Sequence, residues 1–286
     1  MKWRTGRKSE NIEDRRSSGI SGKAAGGIGG LGILLLLLIS MFLGVDPGQI
    51  IQGIDSTGAS SQGSQMSTEE QNESAEFVSL VLGDTEATWS DIFAEDLGRT
   101  YIEPKLVLFS GGVQSACGQA SSQVGPFYCP SDQKVYLDLE FLKELQDRLG
   151  ATGDFAQAYV ISHEVGHHVQ TLTGTLQYVD TMNKRVSQKE ANELSVALEL
   201  QADCYAGVWA NRASQQDLIL EPGDIEEGLN AASAVGDDRL QKQSQGYVVP
   251  DSFTHGTSAQ RVASFRKGLE SGDLFACDSS LLPPVK

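Results

Sequence analysis

The sequence predicts an α+β fold: one mostly helical domain with a small β-sheet, behind an N-terminal transmembrane helix. Three observations predict it. Apolar residues from position 76 onward recur mostly at helical spacing. Two short runs, 105–109 and 135–139, are rich in branched and aromatic residues and read as strands. Residues 24–45, AAGGIGGLGILLLLLISMFLGV, run 22 positions without a charge, long enough to cross a bilayer as a helix. An apolar fraction of 40% over 286 residues supports a real core, and no internal repeat interrupts it.

The net charge of -16 is unevenly spread. Residues 1–23 carry seven Lys and Arg against Glu10, Glu13 and Asp14, which leaves the rest of the chain near -20. So acidic a body argues against nucleic-acid binding. Basic residues before the apolar run and Asp46 after it predict a cytoplasmic N-terminus, with the bulk of the chain periplasmic or extracellular. The run is longer than a signal-peptide core and lacks a small-x-small cleavage site after Met41-Phe42-Leu43, so an uncleaved anchor is expected. The expected organisation is a basic cytoplasmic tail at 1–23, a transmembrane anchor at 24–45, a Gly-, Ser- and Gln-rich flexible linker at 46–75 and a folded domain at 76–286.

Within the domain, Phe77, Leu80 and Val81, then Trp89, Ile92, Phe93 and Leu97, predict two amphipathic helices separated at Gly83-Asp84. Strands follow at 105–109 and 135–139, with a Gly- and Ser-bearing loop over 115–132 between them. A helix over 140–149 is stopped by Gly150, and Asp154 is the expected cap of a helix ending at Gly174. A long helix is predicted over 187–212, another from Pro222-Gly223-Asp224 through Lys242, and a last one capped by Thr257 or Ser258. Four cysteines lie in the part expected outside the cytoplasm, an even count that favours disulfides. The expected pairs are Cys117–Cys129 within the loop and Cys204–Cys277 tying the C-terminus to the long helix, although spacing alone leaves three connectivities open.

The chemistry centres on His163-Glu164-Val-Gly-His167, an H-E-x-x-H inside an apolar helical segment. Residues four apart on a helix share a face, about 40° from eclipsed, so both imidazoles can address one metal ion with Glu164 beside them. That is the zinc-peptidase arrangement of two ligands and a general base. His168 points about 100° away from His167 and is not expected to be a ligand. The metzincin continuation fails, because Gln170 and Thr173 stand where that pattern needs Gly and His. The expected third ligand is Glu199, with Asp203 four residues on as the outer partner of one imidazole; Asp203 itself, Glu193 and Glu190 are fallback ligands. The small Ala202, Ala206 and Gly207 would let this helix approach the motif helix closely. Oxyanion donors are sought in His255 and Arg261, with Tyr159 and Tyr205 as weaker candidates.

Several stretches together resemble the neutral zinc metallopeptidase family of bacteria (YpfJ-like) along nearly the whole chain. They are Asn11-Ile-Glu-Asp-Arg-Arg16, residues 106–118, Gly125-Pro-Phe-Tyr-Cys-Pro130, residues 135–139, the histidine motif, residues 199–203 and residues 255–261. The resemblance implies a zincin-like, gluzincin-type domain with one Zn2+ held by His163, His167 and Glu199. More distantly, the E-x-x-x-D helix with a later His and Arg resembles the CAAX prenyl-protease group, which implies that His255 and Arg261 stabilise the oxyanion. The expected function is therefore a membrane-anchored zinc endopeptidase acting on peptide or protein substrates. An edge at 135–139 would be open to a substrate strand. The alternative is a non-proteolytic envelope protein with a structural zinc, but three ligands beside a base is the count of an open, catalytic site.

Overall fold

A computed structural model describes residues 1–18, 66–121, 125–147, 150–215 and 220–285. The first element is a short strand, β1 (Ile12–Asp14). Helix α1 (Thr68–Glu95) opens on a reciprocal capping box between Ser67 and Glu70 and runs unbroken through Gly83-Asp84. The separation into two helices expected there is therefore corrected. Gly83 serves a close approach instead: a Cβ at this position would stand 2.2 Å from the Arg7 carbonyl oxygen. Asp84 accepts a hydrogen bond from the buried Trp209 indole at 2.7 Å.

Strands β2 (Lys105–Phe109), β3 (Gly112–Ser115), β4 (Gly118–Ser121), β5 (Phe127–Cys129) and β6 (Lys134–Asp138) follow. The main sheet has the order β1-β2-β6-β5, with β5 antiparallel to β6 and the other pairs parallel. β3 and β4 form a separate hairpin, and β4 and β5 lie inside what the sequence offered as a loop over 115–132. Residues 135–138 lie in β6, an interior strand paired on both sides, so they do not form the exposed edge expected for substrate; the edges are β1 and β5.

The helices are α2 (Leu139–Asp147), α3 (Asp154–Thr173), α4 (Thr175–Asn183), α5 (Gln188–Ala213), α6 (Asp224–Ala234), α7 (Asp237–Gln245) and α8 (Ser258–Ser271). The single helix expected from Asp224 through Lys242 is divided at Gly236, where a Cβ would stand 2.4 Å from the Ser258 amide nitrogen. Helix α3 packs against α1, α4, α5, α6 and β5, and Phe155, Tyr159, Trp209 and Phe265 are fully buried around it. Helices α5 and α8 are pressed together at two glycines. A Cβ at Gly207 would meet the Phe265 carbonyl oxygen at 2.0 Å, and one at Gly268 the Cys204 carbonyl oxygen at 1.9 Å. The disulfides are Cys117–Cys129 and Cys204–Cys277, the second closing a separation of 73 residues.

The expected single membrane crossing does not stand. β1 pairs in register with β2, Ile12 opposite Leu106 through Asp14 opposite Leu108. Lys134 of β6 donates to Glu13 at 2.7 Å, and Ser9 donates to Glu86 of α1 at 2.5 Å. The basic N-terminal segment is thus part of the same folded body as the helices. A strand cannot pair with a sheet on the opposite side of a bilayer, so a cytoplasmic tail with an external domain is withdrawn, along with the membrane as a partner through that helix. The apolar run 24–45 falls outside the described residues. Among the described residues no helix is long and apolar enough to cross a membrane.

Candidate metal centre

The N-cap position of helix α3 is Gly153, whose φ of 103° and proximity to the Glu227 carboxylate exclude a side chain. Asp154 is the first helical residue rather than the cap. The orphan Phe155 N–H instead donates to Glu227 Oε2 at 3.2 Å. Gly174 ends the helix in the left-handed conformation, φ 84°. Helix α5 starts with a capping box between Ser187 and Glu190, which occupies Glu190 at the helix end.

The two helices meet where Gly166 faces Ala202: a Cβ at Gly166 would stand 3.1 Å from the Ala202 carbonyl oxygen. Of the small residues expected to permit this approach, Ala202 serves it, whereas Gly207 serves α8. The contact sets Glu199 opposite the histidines. Glu199 Oε2 lies 3.2 Å from His163 Nε2, and Oε1 lies 3.4 Å from His167 Nε2. All three donor atoms fall within 4.8 Å of one another.

These separations suit a metal ion shared by the three side chains. Nitrogen and oxygen ligands about 2.0–2.1 Å from a tetrahedral Zn2+ stand about 3.3 Å apart, close to the spacing each ring keeps from its own Glu199 oxygen. The far side of each ring is also fixed. His163 Nδ1 is 2.9 Å from Asp203 Oδ1, and His167 Nδ1 is 2.9 Å from Gln170 Oε1. With each Nδ1 held by an outer acceptor, Nε2 is the atom each ring would offer a metal, and both Nε2 atoms face Glu199.

The electrostatics match a cluster of donors drawn together. Burial opposes charge on His163, but Asp203 and Glu199 overcome it and lift the imidazole to about 10. His167 is also raised, Glu199 outweighing burial. Burial likewise opposes ionisation of Glu199, yet the two imidazoles hold it well below the carboxylate range. Glu164 follows His163 in the helix and is buried.

Arg261 is nearly fully buried and grips Asp203 with two bonds, Nε to Oδ2 at 2.8 Å and Nη2 to Oδ1 at 2.9 Å. Its remaining contacts include the Tyr159 hydroxyl at 3.2 Å and the Val235 carbonyl at 3.3 Å. The guanidinium therefore stands with the outer partner of His163, with Nη2 3.9 Å from Glu199 Oε2. Tyr159 donates to Asp203 Oδ1 at 2.5 Å. Tyr205 is buried near Trp89, with its hydroxyl unpaired among the described residues. The His255 side chain is half exposed, and its Nδ1 lies 3.1 Å from Asp237 Oδ1. Asp237 Oδ2 also accepts from the backbone N–H groups of Thr254, His255 and Gly256. His168 is buried and structural: Nε2 donates to the Ile102 carbonyl at 2.6 Å, so Nδ1 accepts from the Tyr128 hydroxyl at 3.0 Å.

Two participants escaped the sequence reading. Gln170 was weighed only as a departure from the metzincin pattern, although its place three residues after His167 puts it on the same helical face. Asp237 had no signal, because its link to His255 is made across 18 residues and a helix boundary. A cavity of about 630 Å³ lies along α5 beside Val196, Leu200, Cys204, Phe253, Cys277 and Leu281, and none of the metal triad lines it.

An α+β domain with an H-E-x-x-H helix and a glutamate on a second helix defines a metallopeptidase-type site of the gluzincin kind. Comparison with known proteins agrees: residues 1–280 match the family model described as "Putative neutral zinc metallopeptidase", and the chain belongs to that family. It is 48% identical over 286 residues to the uncharacterized protein YpfJ of Escherichia coli K12, covering 98% of each chain. It is 40% identical over 257 residues to the uncharacterized protein Rv2575 of Mycobacterium tuberculosis, covering 84% of each. No solved structure matches it.

Proposed function

We propose that the chain is a Zn2+-dependent endopeptidase in which His163, His167 and Glu199 hold the ion and Glu164 is the general base. The observation that carries this reading is the pair of separations from Glu199 to the two imidazoles, 3.2 and 3.4 Å, with both outer nitrogens already engaged. When bound, Zn2+ would polarise a peptide carbonyl and lower the pKa of a water towards about 7.

The remaining chemistry falls to side chains of this chain. Glu164 accepts the proton of the attacking water and hands it to the departing amine. Asp203 holds the His163 tautomer, and Arg261, bonded to both Asp203 oxygens, keeps that carboxylate ionised and fixed. Of the two residues expected to stabilise the oxyanion, Arg261 is engaged by Asp203, and His255 offers the freer donor, its ring half exposed while Asp237 holds Nδ1. The strand edge available to an extended substrate is β5, which lies against α3.

The test is Glu164→Gln. The variant should bind about one Zn2+ per chain, as wild type does, and lose about 10²–10⁴-fold in peptide cleavage. Equal cleavage profiles for wild type and variant across a proteome-derived peptide library would remove the peptidase reading.

A further inference from the structure

The two imidazoles that flank Glu199 have chemically different outer partners. His163 faces a carboxylate; His167 faces a primary amide, Gln170, which is fully buried. An amide presents an acceptor and a donor end, and which end meets the imidazole decides which tautomer the ring can hold. Here the contacts of the NH2 group decide it.

Gln170 Nε2 donates to the Leu198 carbonyl at 2.7 Å and to Gln201 Oε1 at 3.1 Å. Gln201 is itself buried, and its Nε2 donates to the Cys277 carbonyl at 3.5 Å. The hydrogen bonds therefore run in one direction, from His167 to Gln170, to Gln201, to the backbone beside the Cys204–Cys277 disulfide. Flipping the Gln170 amide would turn its oxygen onto the Leu198 carbonyl, acceptor against acceptor. Its oxygen is thus locked towards His167 Nδ1. The Leu198 carbonyl immediately precedes Glu199, so one buried side chain grips the ring of one ligand and the backbone next to another.

We infer that Gln170 is a positioning residue for the metal centre: it fixes His167 in the Nδ1–H tautomer, with Nε2 directed at the ion, and ties that ring to the Glu199 helix. The inference rests on the metal reading above. It assigns to a neutral residue on α3 the orienting task that Asp203 performs for His163 from α5.

The experiment uses the full chain and Zn2+ or Co2+ alone. Chelator competition measures Zn2+ affinity for wild type, Gln170→Ala and Gln170→Glu, and the visible absorption of the Co2+-loaded proteins reports ligand geometry. Gln170→Ala should bind Zn2+ about 10–100-fold more weakly with an altered Co2+ spectrum. Gln170→Glu restores an acceptor for His167 but sets its second oxygen against the Leu198 carbonyl, so it should recover part of that affinity while lowering the melting temperature. A merely structural Gln170 would lower the melting temperature of metal-free and metal-loaded protein alike and leave Zn2+ affinity at the wild-type value; that result overturns the inference. Should the variants not fold, ring ¹⁵N chemical shifts of Zn2+-loaded wild type decide the point. A protonated Nδ1 on His167 is expected, and metal on Nδ1 overturns the inference. If wild type binds no Zn2+, or if His163→Ala binds it as wild type does, the metal reading itself has failed instead.

Discussion

Asp203 Oδ1 stands 2.9 Å from His163 Nδ1, and the same carboxylate accepts two bonds from Arg261 at 2.8 and 2.9 Å. All three groups are buried, so a metal-facing imidazole, an anion and a cation share one low-dielectric pocket. Burial alone would push the Asp203 carboxyl up; Arg261 and His163 instead hold it below the usual range. Arg261 is raised against its own desolvation by Asp203. Each charge is tolerable only because the other is present.

Asp203→Asn keeps the shape and removes the anion, leaving the Arg261 charge buried beside a neutral amide. Loss of one partner from a buried ion pair costs about 3–5 kcal/mol, and loss of the carboxylate behind a histidine ligand costs about 10–100-fold in metal affinity. The variant should therefore show both effects, a lower denaturant midpoint in the metal-free protein and weaker Zn2+ retention against a chelator. Gln170→Ala, by contrast, should move affinity more than metal-free stability, since it strands no charge.

The docking of the N-terminal strand carries its own pH dependence. The Lys134 ammonium, reinforced by Arg15 and opposed by burial, holds the Glu13 carboxyl down at about 2. Its ordinary value is 4.5, so the folded pKa lies below the unfolded one. The contribution is then complete above about pH 4.5 and is lost as pH falls towards 2. Thermal melts of wild type and Glu13→Gln should differ at pH 6 and converge as pH approaches 2. No difference at pH 6 would mean that the Glu13 ion pair adds nothing to the backbone ladder that holds β1.

How much of this was legible in the sequence depends on whether the signal was local. The pairing of His163 with His167 and the choice of Glu199, four residues before Asp203, follow from spacings that helix geometry fixes by itself, and the helix starts near Ser187 and at Thr257 or Ser258 follow from local capping signals. The run 105–109 was read to the residue because its pattern of buried branched and aromatic side chains is a property of one strand. What escaped are pairings across distance. Ile12–Asp14 has no strand signal beyond three residues; its place comes from Leu106–Leu108, more than 90 positions away. A charge pattern followed by an apolar run is read as topology relative to a membrane, and nothing local in Glu13 reveals that its counterion is Lys134. Gly83 and Gly236 misled in opposite ways: the first looked like a helix breaker and is a contact site inside a helix, and the second interrupts a helix because the Ser258 backbone comes too near for a side chain. Helical periodicity sees one face of one element, and close approach of two backbones lies beyond it.

Asp237 gives the remaining prediction, since it is the residue through which His255 is held. The Asp237 carboxylate, against the opposing effect of burial, raises the His255 imidazole above its ordinary 6.5, and Glu199 adds to the rise. On the proposed mechanism His255 acts as a cationic donor to the oxyanion, so activity should be retained below its pKa and decline as pH rises through it. Asp237→Asn weakens the interaction that raises the pKa, and the alkaline limb of kcat/KM should therefore move to lower pH. Zn2+ affinity should stay at the wild-type value, because Asp237 contacts none of His163, His167 and Glu199 among the described hydrogen bonds. His255→Ala should lower kcat by about 10²–10³-fold and remove that limb altogether. An unchanged pH profile in Asp237→Asn, measured on metal-saturated enzyme, would assign the Asp237–His255 pair to anchoring the loop ahead of α8 and nothing more.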